Sequence, residues 1–290
     1  MSVQEIQILR LPSSEFAPVP DLPYIDVFHL HPLYDKLFGR ANTVLVGPPG
    51  IGKSLSIAAY AAKINCPLIT FDCSEAVRRG HLIGKFIIRG NETPFVLGEL
   101  TTAFEVVNEV GRCILNFEEI NALTPQMQKV LNPVLDFRRK IEAKEALKVF
   151  RIKPGAKLWC TGTMNTAVFG GVYQMNGDLK SRVRLLVVEY PKPEQEKVIL
   201  RAALGDKLAN HKSEKDADDL ITRVITLAHE TRQQAFEYAL SPRDVVQIVD
   251  DVIELGLPGA LALAMGKFEV EDRATFKKRV HAIFHINIGW

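Results

Sequence analysis

The sequence predicts an α/β fold, a five-stranded parallel sheet flanked by helices, followed by a small all-helical domain. Three observations predict it. Short, nearly continuous apolar runs alternate with helix-patterned segments as far as Glu189, as strands buried on both faces do. One run, Thr43–Val46, leads through a glycine loop into the Ala-rich segment Leu55–Lys63, giving strand, loop and helix in that order. From about Pro191 the strand signal fades and helical patterns dominate.

In chain order, Met1 to Pro23 holds four prolines and no clear period, and reads as an arm or loop. A short helix is expected to end within Asp35 to Arg40. His29 and His31 flank Leu30 and read as solvated or capping histidines rather than ligands. Strand one is Thr43–Val46 and strand two Pro67–Asp72. Lys85–Arg89 and Phe95–Leu97 read as two short strands about Gly90-Asn91, a hairpin signal.

Leu100 to Val110 carries Leu100, Ala103, Phe104, Val107 and Val110 at helical spacing. Strand three, Cys113–Phe117, runs into Glu118-Glu119. Thr124 can cap the next helix and Pro125 suits its first turn. Arg138 to Lys153 holds seven Lys or Arg against two Glu and reads as a projecting hairpin. Strand four is Lys157–Thr161 and strand five Leu185–Glu189. The later helices are Pro193–Leu204, Ala217–Ala239, Pro242–Leu255, Leu257–Met265 and Asp272–Ile283. The organisation expected is an N-terminal arm and short helix over 1–41, an α/β nucleotide-binding domain over 42–191 and a helical lid domain over 192–290.

The glycine loop reads Gly47-Pro-Pro-Gly-Ile-Gly-Lys-Ser54 and satisfies G-x-x-x-x-G-K-[ST] in full. Gly47, Gly50 and Gly52 let the backbone wrap an anion with successive N–H groups pointing inward. The following helix adds its positive end. Lys53 is a mobile charge for the β- and γ-phosphates, and the Ser54 hydroxyl can ligate Mg²⁺. Gly47, Pro48, Pro49, Gly50, Ile51, Gly52, Lys53, Ser54 and Leu55 form the candidate nucleotide-binding set, with ATP and Mg²⁺ as cofactors.

Hydrolysis needs more than a cradle. A lone Glu-Glu pair is usually a solvated turn. Here it sits directly after a buried strand, so Glu118 is the candidate metal-side acid and Glu119 the candidate base. Asn165, at the end of strand four, can hold the attacking water or the γ-phosphate. Arg182 and Arg184 precede strand five, and either could reach a neighbouring subunit's nucleotide. Arg243, in Leu240-Ser-Pro-Arg243, opens a helix of the second domain and could reach the phosphates.

Bulk composition bounds the rest. Of 290 residues, 47% are hydrophobic and 24% charged, with a net charge of +2. That offers no electrostatic case for a nucleic-acid or anionic-membrane surface. No stretch is apolar enough for a membrane span, and the N-terminus lacks a signal-peptide core, so a cytoplasmic location is expected. Cys66, Cys73, Cys113 and Cys160 form no C-x-x-C pair and read as free thiols.

The motifs together resemble the AAA+ ATPases, and within them the MoxR type, the group of the CbbQ and NorQ activators and the cobaltochelatase ATPase subunit. GPPGIGKS is similar to that family's Walker A, NFEEIN (Asn116–Asn121) to its Walker B, GTMN to sensor 1, LKSRV to its arginine-finger segment and LSPRD to sensor 2. LIGKF, GELTTAF and VLNPVLDFR resemble its helix-2 insert and the helix after Walker B. The resemblance implies a P-loop NTPase sheet and a ring, commonly a hexamer, with ATP between subunits. It implies that Glu119 is the catalytic glutamate, Asn165 sensor 1, Arg182 the finger and Arg243 sensor 2. It also implies a protein client remodelled or activated by hydrolysis, often with a von Willebrand A-domain partner. Glu118 stands where the family has Asp. A nucleic-acid-dependent motor and an ATP-binding switch with little hydrolysis are the alternative functions; the basic run Arg138–Lys157 is the feature favouring the motor.

Overall fold

A computed structural model of the chain describes residues 6–20, 22–165, 173–211, 213–233 and 236–288. In order the elements are β1 (Ile8–Leu9), α1 (Leu30–Leu37), β2 (Asn42–Val46), α2 (Lys53–Lys63), β3 (Leu68–Asp72), α3 (Arg79–Ile83), β4 (Gly84–Phe86), β5 (Phe95–Leu97), α4 (Glu99–Val110) and β6 (Arg112–Glu118). They continue with α5 (Pro125–Leu135), β7 (Lys140–Ala143), β8 (Lys148–Arg151), β9 (Lys157–Met164), α6 (Gly177–Lys180) and β10 (Val183–Val187). Four helices follow: α7 (Pro193–His211), α8 (Glu214–Gln233), α9 (Pro242–Met265) and α10 (Val270–Phe284).

Contacts divide the chain into two compact units. The first comprises 1–22, 29–47 and 53–188; the second comprises 23–28, 48–52 and 189–290. The first unit is built on a five-stranded sheet in the order β10-β2-β9-β6-β3, every pair parallel. Its central strands are buried along most of their length and largely apolar, Cys113, Ile114, Leu115 and Phe117 being buried on β6, because helices cover both faces of a parallel sheet. The N-terminal segment adds α1. Tyr34 of α1 lies 5.2 Å from Trp159 of β9 and 5.4 Å from Tyr60 of α2, ring centre to ring centre. Burial, with Asp35 accepting its hydrogen bond at 2.8 Å, holds the Tyr60 hydroxyl well above the usual tyrosine range.

The second unit packs α7 to α10 around a core of Leu200, Ile221, Val224, Val245, Ile248, Leu261 and Phe276. Residues 242–265 form one helical run with a kink: Gly256 leaves helical geometry at φ +72° and Pro258 follows it. The two helices expected there are its two arms.

Several sequence expectations shift. β9 continues to Met164, so Thr163 lies within the strand. β10 starts two residues early, in register Val183↔Asn42 to Val187↔Val46, which puts Arg184 inside the strand rather than before it. The arm is not all loop, since β1 adds a parallel edge to β5. A two-residue strand carries no readable period. The β4–β5 ladder closes at Phe86↔Phe95, and only an Arg89–Glu92 bridge continues it. Pro94 accepts from Ile87 N–H at 3.1 Å but has no N–H to return. The helix expected over Ala217–Ala239 ends at Gln233; residues 234 and 235 lie outside the described residues, and 236–239 are not helical. His29 takes the N-cap position of α1, without a side-chain cap hydrogen bond, and His31 lies inside that helix, half-buried, its Nε2 3.1 Å from the Ser56 carbonyl. The basic run does form a hairpin, β7 antiparallel to β8. All four cysteines are free and buried, and burial pushes Cys66 and Cys160 up to about 11.

Candidate nucleotide-binding site

Three neighbouring parallel strands, β2, β9 and β6, end on one edge of the sheet. Ligands bind at such carboxyl ends in open α/β sheets. Each strand delivers a polar group there: Lys53 after the loop from β2, Asn165 directly after β9, and Glu118 and Glu119 at the end of β6.

Asn165 joins the other two. Lys53 Nζ donates to Asn165 Oδ1 at 2.9 Å, and Asn165 Nδ2 donates to Glu119 Oε1 at 3.0 Å. The amide orientation follows from its partners, because an ammonium only donates and a carboxylate only accepts. Lys53 also donates to the Gly47 carbonyl at 2.9 Å, although its residue is 8% exposed.

Glu118 ends β6 and receives three hydrogen bonds. Ser54 Oγ donates to its Oε2, Thr163 Oγ1 donates to the same oxygen at 2.9 Å, and Asn116 Nδ2 donates to Oε1 at 2.6 Å. The chain then turns sharply. Glu119 adopts left-handed backbone angles, φ 51° and ψ 50°, a conformation that costs a non-glycine residue on the order of 1–3 kcal/mol and clusters at functional sites. Its N–H donates to Thr163 Oγ1 at 3.1 Å. Burial pushes the adjoining Cys73 thiol far up, and the carboxylates of Glu118, Asp72 and Glu119 push it further.

The glycine loop has the backbone its sequence requires. Gly50 and Gly52 hold φ +72° and +89°, and a Cβ on Gly52 would meet nothing within 4 Å. Successive N–H groups can therefore face an anion without side-chain obstruction. Gly50 is confined on its other side: a Cβ there would sit 2.3 Å from Ser241 Oγ, and its carbonyl accepts from Arg243 N–H at 3.3 Å. Ser241 and Asp244 form a reciprocal cap on α9, with Pro242 in its first turn. Burial works against the ionised form of Asp244, but Lys267 and Ser241 outweigh it, and its carboxyl lies below the ordinary range.

Arg182 sits at the turn into β10, its Nε 3.6 Å from Asp136 and its Nη1 donating to the Asp178 carbonyl. Arg184 lies exposed on the edge strand β10. Sequence reasoning did not assign Asn116, Thr161 or Thr163. Their signal was present as a period of two, Asn116 and Glu118 on one strand and Thr161, Thr163 and Asn165 on and just past the next, in otherwise apolar runs.

These donors suit a triphosphate with Mg²⁺. The small cation takes one or two protein ligands beside phosphate and water oxygens. Ser54 Oγ and Glu118 Oε2 stand side by side, as two such ligands could.

Residues 42–183 match the family model described as AAA domain (dynein-related subfamily). NorQ of Paracoccus denitrificans (strain Pd 1222) is 27% identical over 162 residues, 56% of this chain and 57% of NorQ. CbbQ of Hydrogenophilus thermoluteolus is 27% identical over 173 residues, 60% and 62% of the two chains. The chain thus covers about three fifths of each of these relatives. The denitrification regulatory protein NirQ of Stutzerimonas stutzeri is 26% identical over 69% of this chain and 71% of its own. Among solved structures, NtrX from Brucella abortus superposes with a TM-score of 0.52 at 16% identity, over 82% of this chain and 52% of its own, a likeness of fold.

Proposed function

We propose that the chain is a MoxR-type AAA+ protein that hydrolyses ATP and uses the energy to remodel or activate a protein client, a reading supported by the AAA-domain match and the likeness to NorQ, CbbQ and NirQ. The observation that carries this reading is the bridge Lys53–Asn165–Glu119, which joins a phosphate-loop cation to a candidate base through a neutral, orientable amide.

Each residue then has a task. Lys53 exchanges its Gly47 and Asn165 contacts for phosphate oxygens. Ser54 and Glu118 would hold Mg²⁺, which would neutralise charge on the phosphates. Glu119 takes the proton of the attacking water, and Asn165 orients that water or reads the γ-phosphate. Arg182, released from Asp136, is offered to the nucleotide of a neighbouring copy, and Arg243 is the second-domain phosphate sensor. The assembly is a ring, of six copies by family resemblance, and a von Willebrand A-domain protein is the expected partner.

The nucleic-acid alternative rests on the β7–β8 hairpin. Two of its cations are already engaged, Lys140 with Glu142 at 2.6 Å and Lys148 with Glu105 at 3.4 Å. We therefore favour a protein client.

The test uses purified protein with labelled ATP and Mg²⁺. Wild type binds ATP and releases phosphate, and Lys53→Ala loses binding by about tenfold or more, the equivalent of a charge-assisted contact. Equal binding by both would remove the assignment. Binding without phosphate release would leave an ATP switch in its place.

A further inference from the structure

The carboxylate proposed to face Mg²⁺ belongs to Glu118, where the resembling family has Asp. A glutamate brings one more methylene and one more rotatable bond, so its oxygens occupy one place only if something holds them. Two strands supply that hold. Asn116 lies two residues before Glu118 on β6, and its Nδ2 donates to Oε1 at 2.6 Å. Its other amide atom, Oδ1, accepts from Thr161 Oγ1 at 3.0 Å across the β6–β9 pairing. That contact fixes which end of the amide meets the carboxylate. Thr163 works from β9. Its hydroxyl accepts from Glu119 N–H at 3.1 Å, which leaves its proton for Glu118 Oε2 at 2.9 Å.

The three side chains are nearly sealed, Asn116 at 1%, Thr161 at 2% and Thr163 at 2% exposure. Along β6, Ile114 on the face of Asn116 and Leu115 and Phe117 on the opposite face are all buried without a polar cost. Burying an amide and two hydroxyls costs unless each is hydrogen-bonded. Here the bonds converge on one carboxylate at the open end of the strand.

We propose that Asn116 and Thr163 are positioning residues that aim the Glu118 carboxylate at the divalent cation, with Thr161 setting the Asn116 amide. The inference rests on reading Glu118 as the metal-side acid. Thr163 also ties that carboxylate to the backbone of Glu119, so the metal side and the base share one hydroxyl. The consequence runs against family expectation: in this chain Glu118→Asp draws the carboxylate back from both donors and weakens the metal site instead of improving it.

The experiment measures Mn²⁺ affinity of the ATP-bound protein by electron paramagnetic resonance, alongside binding of a fluorescent ATP analogue in EDTA and thermal melting. Asn116→Leu and Thr163→Val are each expected to weaken Mn²⁺ binding about 10–100-fold, the usual effect of removing a partner behind a metal ligand, with metal-free nucleotide binding unchanged. Thr163→Ser keeps the hydroxyl and should restore wild-type affinity, and it also reports if the valine variant fails to fold. In a Glu118→Ala background, Asn116→Leu should add nothing. If Glu118→Ala weakens Mn²⁺ binding while folded Asn116→Leu and Thr163→Val leave it intact, the positioning role is lost. If Glu118→Ala itself leaves Mn²⁺ binding intact, the reading of Glu118 fails first and the positioning role with it.

Discussion

Glu118 in the sheet unit and Glu196 in the helical unit are each held by several donors, yet the donors differ in kind. Glu196 is fully buried. Arg232 meets both its oxygens at 2.8 Å, and His229 Nε2 lies 3.2 Å away. Arg232 is itself completed by the Leu240 carbonyl at 2.7 Å and lies 4.4 Å over the Tyr190 ring. Charge there is cancelled and every arm is engaged. The three hydrogen bonds described on Glu118 come from a serine, a threonine and an amide, all neutral. Neutral donors orient a carboxylate without cancelling its charge, so it remains able to attract a cation. An arginine pair closes a carboxylate off and makes it part of the framework.

This contrast is open to attack in order of expected effect. The largest lies at the sheet edge: Glu119→Gln should slow phosphate release by at least about 100-fold, the scale of general-base catalysis, while ATP binding and the melting temperature stay at wild-type values. Turnover at the wild-type rate would return Glu119 to being a strained turn residue. Next comes the helical unit. Arg232→Ala leaves Glu196 buried without its bidentate partner, His229 alone remaining beside it among the described residues, and chemical denaturation should show a loss of about 3–5 kcal/mol. Glu118→Gln, measured the same way, should cost less, because it leaves no buried charge uncompensated, even though its amide nitrogen then faces a donor where the carboxylate had an acceptor. Comparable losses for the two variants would erase the distinction between a closed pair and an open one.

The smallest effect is a pH dependence. Asp244 has a carboxyl held below its ordinary value by Lys267 and Ser241 against the opposing effect of burial. A depressed carboxyl adds stability that is full above the unfolded value, near about 3.9, and fades as pH falls through the folded value. Acid titration of unfolding should therefore show a steeper loss below about pH 4 in wild type than in Asp244→Asn. Identical acid limbs would mean that Asp244 acts as a cap alone.

Much of this was readable beforehand. The phosphate loop, the five sheet strands and the two acids after CILNF are local patterns, and each came within a few residues of its observed bounds. The misses share a cause. β1 is two residues long and exists because Phe95–Val96 offer an edge. Arg184 belongs to β10 because register with Asn42–Val46 moves that strand forward. Thr163 lay past the expected Lys157–Thr161 strand, and pairing with Leu45 carried β9 on through it. Partners distant in the chain set all three.

What the sequence determined alone is the chemistry available: a glycine loop that can wrap an anion, a lysine and serine at a helix start, and two carboxylates after an apolar strand. These need only adjacent residues and local backbone preference. The tertiary structure decided which groups meet. By ordering the strands β2-β9-β6, it placed Asn165 between Lys53 and Glu119, 112 positions from the lysine in the chain. The same pairing brought Thr161 and Thr163 of one strand against Asn116 and Glu118 of the next. Strand order is the outcome of packing helices on both faces of a twisted sheet, a property of the whole chain that no short segment contains.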